Sequence, residues 1–353
     1  MRRSLSAVGF TLVILFGLAL RPAAAITIGM VADGSNGMVT VFNADTDTVL
    51  GSAGPLPNAG FIGDCVISTD KRTGYVTNFG GTVFLIDLTT TPPTLKSGVN
   101  PIAISNPGED VTLTPRGEYL LTCDGSADAP VSVVLTQKRL EIGTFDLGSD
   151  CMAVDACANA RSTNSSVLVG SELANNVRRL RIDASGQVVD TGDVLSNANT
   201  VNLNNVNCSP QGTTGVAVNF NPTQIQSFTI PGLAPVDNRT PTDGNALSGA
   251  FNSAGTTFYV RSGSNQDGSG AVDAFTYNPT TAALGAAPFF TIPIIQASNS
   301  AFGVEQLAVH PTANKLYVPQ PNALNVYNAT TGAPLTPITN PNIVDPTGVC
   351  VRQ

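Results

Sequence analysis

One phrase recurs along this chain at a spacing of about 47 residues, within the range of four-stranded repeat units. It has three short β-prone runs separated by tight turns, then a weaker fourth. One copy reads Gly63-Asp64-Cys65-Val66-Ile67-Ser68-Thr69-Asp70, then Gly74-Tyr75-Val76-Thr77-Asn78, then Thr82-Val83-Phe84-Leu85-Ile86-Asp87. The phrase returns at Asp110 to Pro115, Glu118 to Cys123 and Val131 to Thr136, and again at Gln306 to Pro311, Lys315 to Pro319 and Ala323 to Ala329. With the runs of a unit called a, b, c and d, the b-runs begin near Ile26, Gly74, Glu118, Ser166, Thr214, Thr256 and Lys315, which makes seven. Each unit alone would expose both faces of a small sheet; packing the units side by side around an axis buries them. The expectation is all-β: a seven-bladed β-propeller of four-stranded antiparallel blades over residues 26–353.

The ends of the chain fit a ring. Ile26 to Ala32, Met38 to Asn43 and Val49 to Gly54 read as b, c and d with no a-run before them. The tail, Gly348-Val349-Cys350-Val351, reads as an a-run with no unit of its own. If the C-terminal strand joins the N-terminal blade, the circle closes and open sheet edges disappear. An open solenoid is the structural alternative, and it has no need of this permuted fit.

Residues 1–25 read as a signal peptide. Arg2 and Arg3 precede an apolar run of 14 residues, Ala7 to Leu20, and Ala23-Ala24-Ala25 supplies a cleavage site. The alternative is a membrane anchor, but the run falls short of the roughly 20 residues a bilayer span needs. No membrane span is expected in the mature chain, and the protein is expected to be secreted, periplasmic or on the cell surface. Cleavage removes Arg2, Arg3 and Arg21, leaving 14 of the 17 basic residues against 25 acidic ones, a net charge of about −11. A surface this acidic repels phosphate backbones, so nucleic acid is not an expected partner.

The run from Gly74 to Asp87, which contains Tyr75-Val76-Thr77-Asn78, resembles the YVTN-type β-propeller repeat. Leu307-Ala308-Val309-His310-Pro311-Thr312-Ala313-Asn314-Lys315-Leu316-Tyr317-Val318 is similar to the same repeat in propellers of the lactonase type. The similarity is loose in units four and five, where the run becomes Val167-Leu168-Val169 and Val216-Ala217-Val218. The resemblance implies a seven-bladed propeller in an exported protein and no single function, because the fold hosts many.

Lactonase-type propellers use acidic and polar residues at the channel mouth, with or without a metal. The resemblance nominates Asp64, Glu109, Asp110, Asp150 and Glu305, each just before or at the start of an a-run, as channel-mouth candidates. They would form an acidic ring able to hold a divalent cation, or cap strand starts and face solvent. The b–c loops Asp33-Gly34-Ser35-Asn36-Gly37, Asp124-Gly125-Ser126-Ala127-Asp128 and Ser264-Asn265-Gln266-Asp267-Gly268 offer oxygen ligands of the calcium type. None has the spacing of a calcium loop, and Asp-Gly and Asn-Gly pairs are what hairpin turns require. No cofactor is expected, calcium being the weak exception. His310 is the only histidine; it stands beside Pro311 at an a–b turn, with no nucleophile motif near it, and reads as a turn residue.

Six cysteines remain in the mature chain, an even number that suggests disulfides in an exported protein, with buried free thiols as the alternative. Placed on the blades, they pair as Cys157–Cys208, Cys123–Cys151 and Cys65–Cys350, each tying neighbours together. Sequons stand at Asn164, Asn207, Asn238 and Asn328. The resulting expectation is a non-catalytic binding or scaffold module whose loop face meets a protein or glycan. The alternative is a lactonase-like hydrolase with a divalent cation at the channel mouth. An electron-transfer role has no haem or quinone motif behind it. No oligomeric state follows from the sequence.

Overall fold

The computed structural model describes residues 26–352, apart from residue 107 and the segments 158–164, 198–199, 201, 264–269 and 295–305. The signal-peptide reading of residues 1–25, the Asn164 sequon, the loop around Asn265 and the candidate Glu305 therefore lie outside the described residues.

The chain forms seven antiparallel sheets, all β, in a propeller. The a-strands, which surround the axis, are Ile62–Ile67, Asp110–Leu113, Ala153–Ala156, Leu203–Cys208, Asn245–Phe251, Ala308–Val309 and Pro346–Arg352. Blade 1 takes its a-strand from the tail. Pro346–Arg352 pairs antiparallel with Ile28–Asp33, Val349 opposite Val31 and Cys350 opposite Met30, so the expected closure is present. Five blades have four strands in simple order. In blade 2 the outer position is shared by Thr94–Leu95 and Ile102–Ala103, both paired with Thr82–Asp87. In blade 7 it shrinks to bridges from Leu324 to Ile338 and from Tyr327 to Pro334. Prolines explain both departures. Pro92, Pro93 and Pro101 flank the first, and Pro334, Pro337 and Pro341 the second; each removes a donor that a continuous strand needs.

Burial follows the two-residue period. The b-strand Thr73–Asn78 is buried along its whole length, and successive side chains point to opposite faces. Tyr75 therefore packs toward blade 3 with Val111, Leu113 and Leu120, while Val76 packs toward blade 1 with Met30 and Val41. The same alternation yields an apolar cluster between each pair of neighbouring blades, seven in all, the last holding blade 7 to blade 1 through Tyr317, Phe42 and Val349. The repeat is thus the unit of packing, and no blade completes a core alone.

Three disulfides reinforce the ring. Cys65–Cys350, Cys123–Cys151 and Cys157–Cys208 have Cα separations of 5.9, 5.1 and 5.2 Å, and each joins neighbouring blades as the blade geometry leads one to expect. The first crosses the closure itself. Among the described residues no helix is long and apolar enough to cross a membrane.

Candidate functional site

All seven blades contribute to a cavity of about 300 Å³ in the central channel. Its polar lining comprises Asp64 and Asp110 on the a-strands of blades 2 and 3, Asp155 on that of blade 4, Asn205 and Asn207 on that of blade 5, and Gln306. Val111, Val154, Val206, Leu307 and Val349 supply apolar wall. Among the described residues, no Lys, Arg or His lines it.

The a-strands run side by side around the axis, so a side chain of one blade meets the backbone of the next. Asp110 Oδ2 accepts the amide of Val154 at 2.9 Å, and its Oδ1 accepts that of Val111 at 2.8 Å. One blade on, Asp155 Oδ2 accepts the amide of Cys208 at 2.7 Å. Thr112 Oγ1 accepts the amide of Ala156 at 3.1 Å. These bonds stitch blades 3, 4 and 5 together around the channel. Asp64 differs from them. It is 7% exposed, and no hydrogen-bond donor reaches its Oδ1.

Burial without a countercharge raises the pKa of each of these carboxyl groups. Burial pushes Asp155 up to about 7, against the Cys208 amide. Burial takes Asp110 to about 6, restrained by the amides of Val154 and Val111. Burial, and then the neighbouring Asp110, raise Asp64 well above the usual carboxylate range. Asp110 has two amide donors and Asp64 has only that of Cys65. Asp64 is therefore the member of the pair that holds the proton at neutral pH. Nearer the loop face, burial lifts Glu109 to about 8, opposed by its bond from the Gly125 amide at 3.2 Å.

The five nominated residues thus have different positions. Asp64 and Asp110 lie together inside the channel, deeper than the rim. Glu109 is buried beside Asp110, near Asp124 and Glu172, and is not part of the cavity lining. Asp150 shapes the b–c loop of its own blade, the fourth. Its carboxylate accepts the Ser171 hydroxyl at 2.5 Å and the amides of Glu172 and Leu173 at 2.9 and 3.0 Å. Asp155 is a channel residue that the resemblance does not nominate; its one signal is a lone carboxylate within the apolar run Ala153-Val154-Asp155-Ala156. No group of three or more His, Cys, Asp or Glu side chains among the described residues is arranged to hold a metal ion. In the loop after Ala32, Asp33 accepts from the Ser35, Asn36, Val344 and Asp345 amides, which makes it a turn and closure residue.

His310 is buried on the opposite face. Its Nδ1 accepts the amides of Thr312 and Ala313 at 3.1 and 2.7 Å, and its Nε2 faces Asp45 Oδ1 at 3.2 Å. An Nδ1 that accepts two amides carries no proton, so Nε2 bears it. Burial lowers its basicity further, against the pull of Asp45. Neither nitrogen is free to take a proton from a substrate.

No family model and no curated protein matches this chain. Solved structures do. A protein of unknown function from Desulfotomaculum acetoxidans superposes with a TM-score of 0.77 at 21% identity, over 92% of this chain and 98% of that one. A provisionally assigned 6-phosphogluconolactonase from Bacteroides uniformis gives 0.73 at 16%, over 93% and 99%. The β-propeller domain of Cps50 (Swd1) from Myceliophteria thermophila gives 0.59 at 10%, over 79% and 87%. At these identities the likeness establishes the fold, which carries many functions.

Proposed function

We propose that the protein is an exported, non-catalytic binding or scaffold module that engages a protein or glycan through its b–c and d–a loop face. The observation that carries this reading is the commitment of its reactive groups. The sole histidine is held by two turn amides and Asp45, and the channel carboxylates Asp110 and Asp155 serve as acceptors between blades. The loop face, by contrast, presents groups that suit contact. Phe61 and Phe79 form a half-buried edge pair with centroids 5.4 Å apart, and Leu173 is 59% exposed. Partly exposed aromatic rings stack on sugars and anchor protein interfaces. Export is supported by the leader-like N-terminus and by the three disulfides, which persist in oxidising compartments.

A second reading, the lactonase-like hydrolase, has one observation in its favour: two proton-sharing carboxylates, Asp64 and Asp110, in a cavity of substrate size. Its divalent cation finds no ligand set among the described residues. Among the described residues a phosphorylated lactone would also meet polar groups that are only carboxylates and amides there, with no cation to offset its charge. The two readings separate in one set of assays. The binding module predicts saturable binding on a glycan or protein array, weakened at least tenfold by Phe79→Ala or Leu173→Asp. It predicts no lactone hydrolysis above buffer with Ca²⁺, Mg²⁺ or Zn²⁺ added. Turnover that disappears in Asp110→Asn would establish the hydrolase instead.

A further inference from the structure

The channel cavity combines features that the loop-face reading leaves unused. Three carboxylates from consecutive blades, Asp64, Asp110 and Asp155, border one space, and each lies within electrostatic reach of the others. Asp64 carries the independent sign of a missing ligand: it is more than nine-tenths buried, lines the cavity, and has an oxygen that no donor reaches. A buried acceptor left without a donor destabilises the fold. The one amide donor of Asp64 is Cys65 of its own strand, whereas Asp110 and Asp155 each accept an amide of the next blade.

The chemistry of the missing group follows from the walls. It should be cationic, because among the described residues carboxylates and no cation line the space. A metal ion needs oxygens converging on one centre within about 2.5 Å, and the described carboxylates are not so arranged. An ammonium group donates three bonds in separate directions, which suits acceptors spread over neighbouring strands. The valines and leucine that complete the wall suit an alkyl chain and would be wasted on a bare ion. We propose that the central channel is a binding site for a small ligand bearing a primary ammonium group on an aliphatic chain, with Asp64 and Asp110 as its principal acceptors. Binding needs these carboxylates ionised, so the ligand displaces protons. The titratable groups facing Asp64 are Asp110 and Asp155, both acids whose pKa burial raises. Affinity therefore rises with pH.

Isothermal titration calorimetry with n-butylammonium as the probe and n-butanol as its neutral counterpart tests this. The expected result is saturable n-butylammonium binding at pH 8, at least tenfold weaker at pH 5, with proton release measured by comparing buffers of different ionisation heat. Asp64→Asn, close in shape to the protonated acid, should retain the wild-type melt at pH 5 and lose at least tenfold in affinity at pH 8. If that variant does not fold, the wild-type pH comparison and the n-butanol arm decide. Equal binding of n-butanol, unchanged affinity in folded Asp64→Asn, displacement by an equal concentration of Ca²⁺, or no binding heat at either pH would overturn the proposal. None of these outcomes bears on the loop face, so the two readings stand or fall separately.

Discussion

At the scale of single residues, small side chains and turn acceptors set how closely the strands approach. A Cβ at Gly249 would overlap the Phe258 ring and press on Asn207. Gly249→Ala is therefore expected to lower the unfolding free energy by about 1–3 kcal/mol, the cost of overpacking a dense core, read as a lower urea midpoint with an unchanged slope. His310→Ala strips the acceptor from two partly buried turn amides. A loss of about 1–3 kcal/mol is expected, with loop-face binding unaffected; a binding defect at unchanged stability would mean that the histidine does more than hold its turn. Legibility at this scale depends on context. His310 can be read as a turn residue because Pro311 follows it. Asp155 is hidden because its neighbours read as ordinary strand core, and Asp150 resembles a rim acid because its partners, Ser171 to Leu173, come from the following hairpin. Those partners are brought close only by the blade.

At the scale of elements, the repeat makes the strand starts readable. The b-strands begin at Ile28, Thr73, Tyr119, Ser165, Thr214, Thr257 and Lys315, each within two residues of its expected start. Outer strands are less legible, since their pairing is decided by where prolines remove donors. The closing strand is the element with the largest consequence. It occupies both the edge of blade 1 and the interface with blade 7. Truncation before Pro346 should expose the edge of Ile28–Asp33 and yield self-association on size-exclusion chromatography; a monodisperse monomer with a wild-type melt would show that closure is dispensable. Cys350→Ser removes a cross-link spanning 285 residues, and a loss of about 2–5 kcal/mol is expected.

For the whole molecule, the buried acids set the pH response. Asp64, Glu109, Asp110 and Asp155 have folded pKa values raised above their unfolded ones. The folded state therefore keeps protons that the unfolded chain releases near pH 4, and stability falls as pH rises from about 4 to about 8. His310, held neutral in the fold, works the other way below about pH 6.5, but it is one group against four. Surface acids such as Asp45 and Asp87, whose pKa values are lowered by hydrogen bonds, lose their contribution only as pH falls below about 4. The melting temperature should accordingly be higher at pH 5 than at pH 8.5, and Asp64→Asn should flatten that difference; a melt that rises steadily to pH 8.5 would contradict the burial of these acids.

The channel, its carboxylates and the loop face all depend on blade 1 being completed by the tail. A non-reducing peptide map examines this directly, because Cys350 on the tail meets Cys65 only in the closed ring. A linked peptide containing Cys65 and Cys350, beside the Cys123–Cys151 and Cys157–Cys208 pairs, is the predicted result. Cys350 found free, or bound to any other cysteine, would contradict the closed seven-bladed ring.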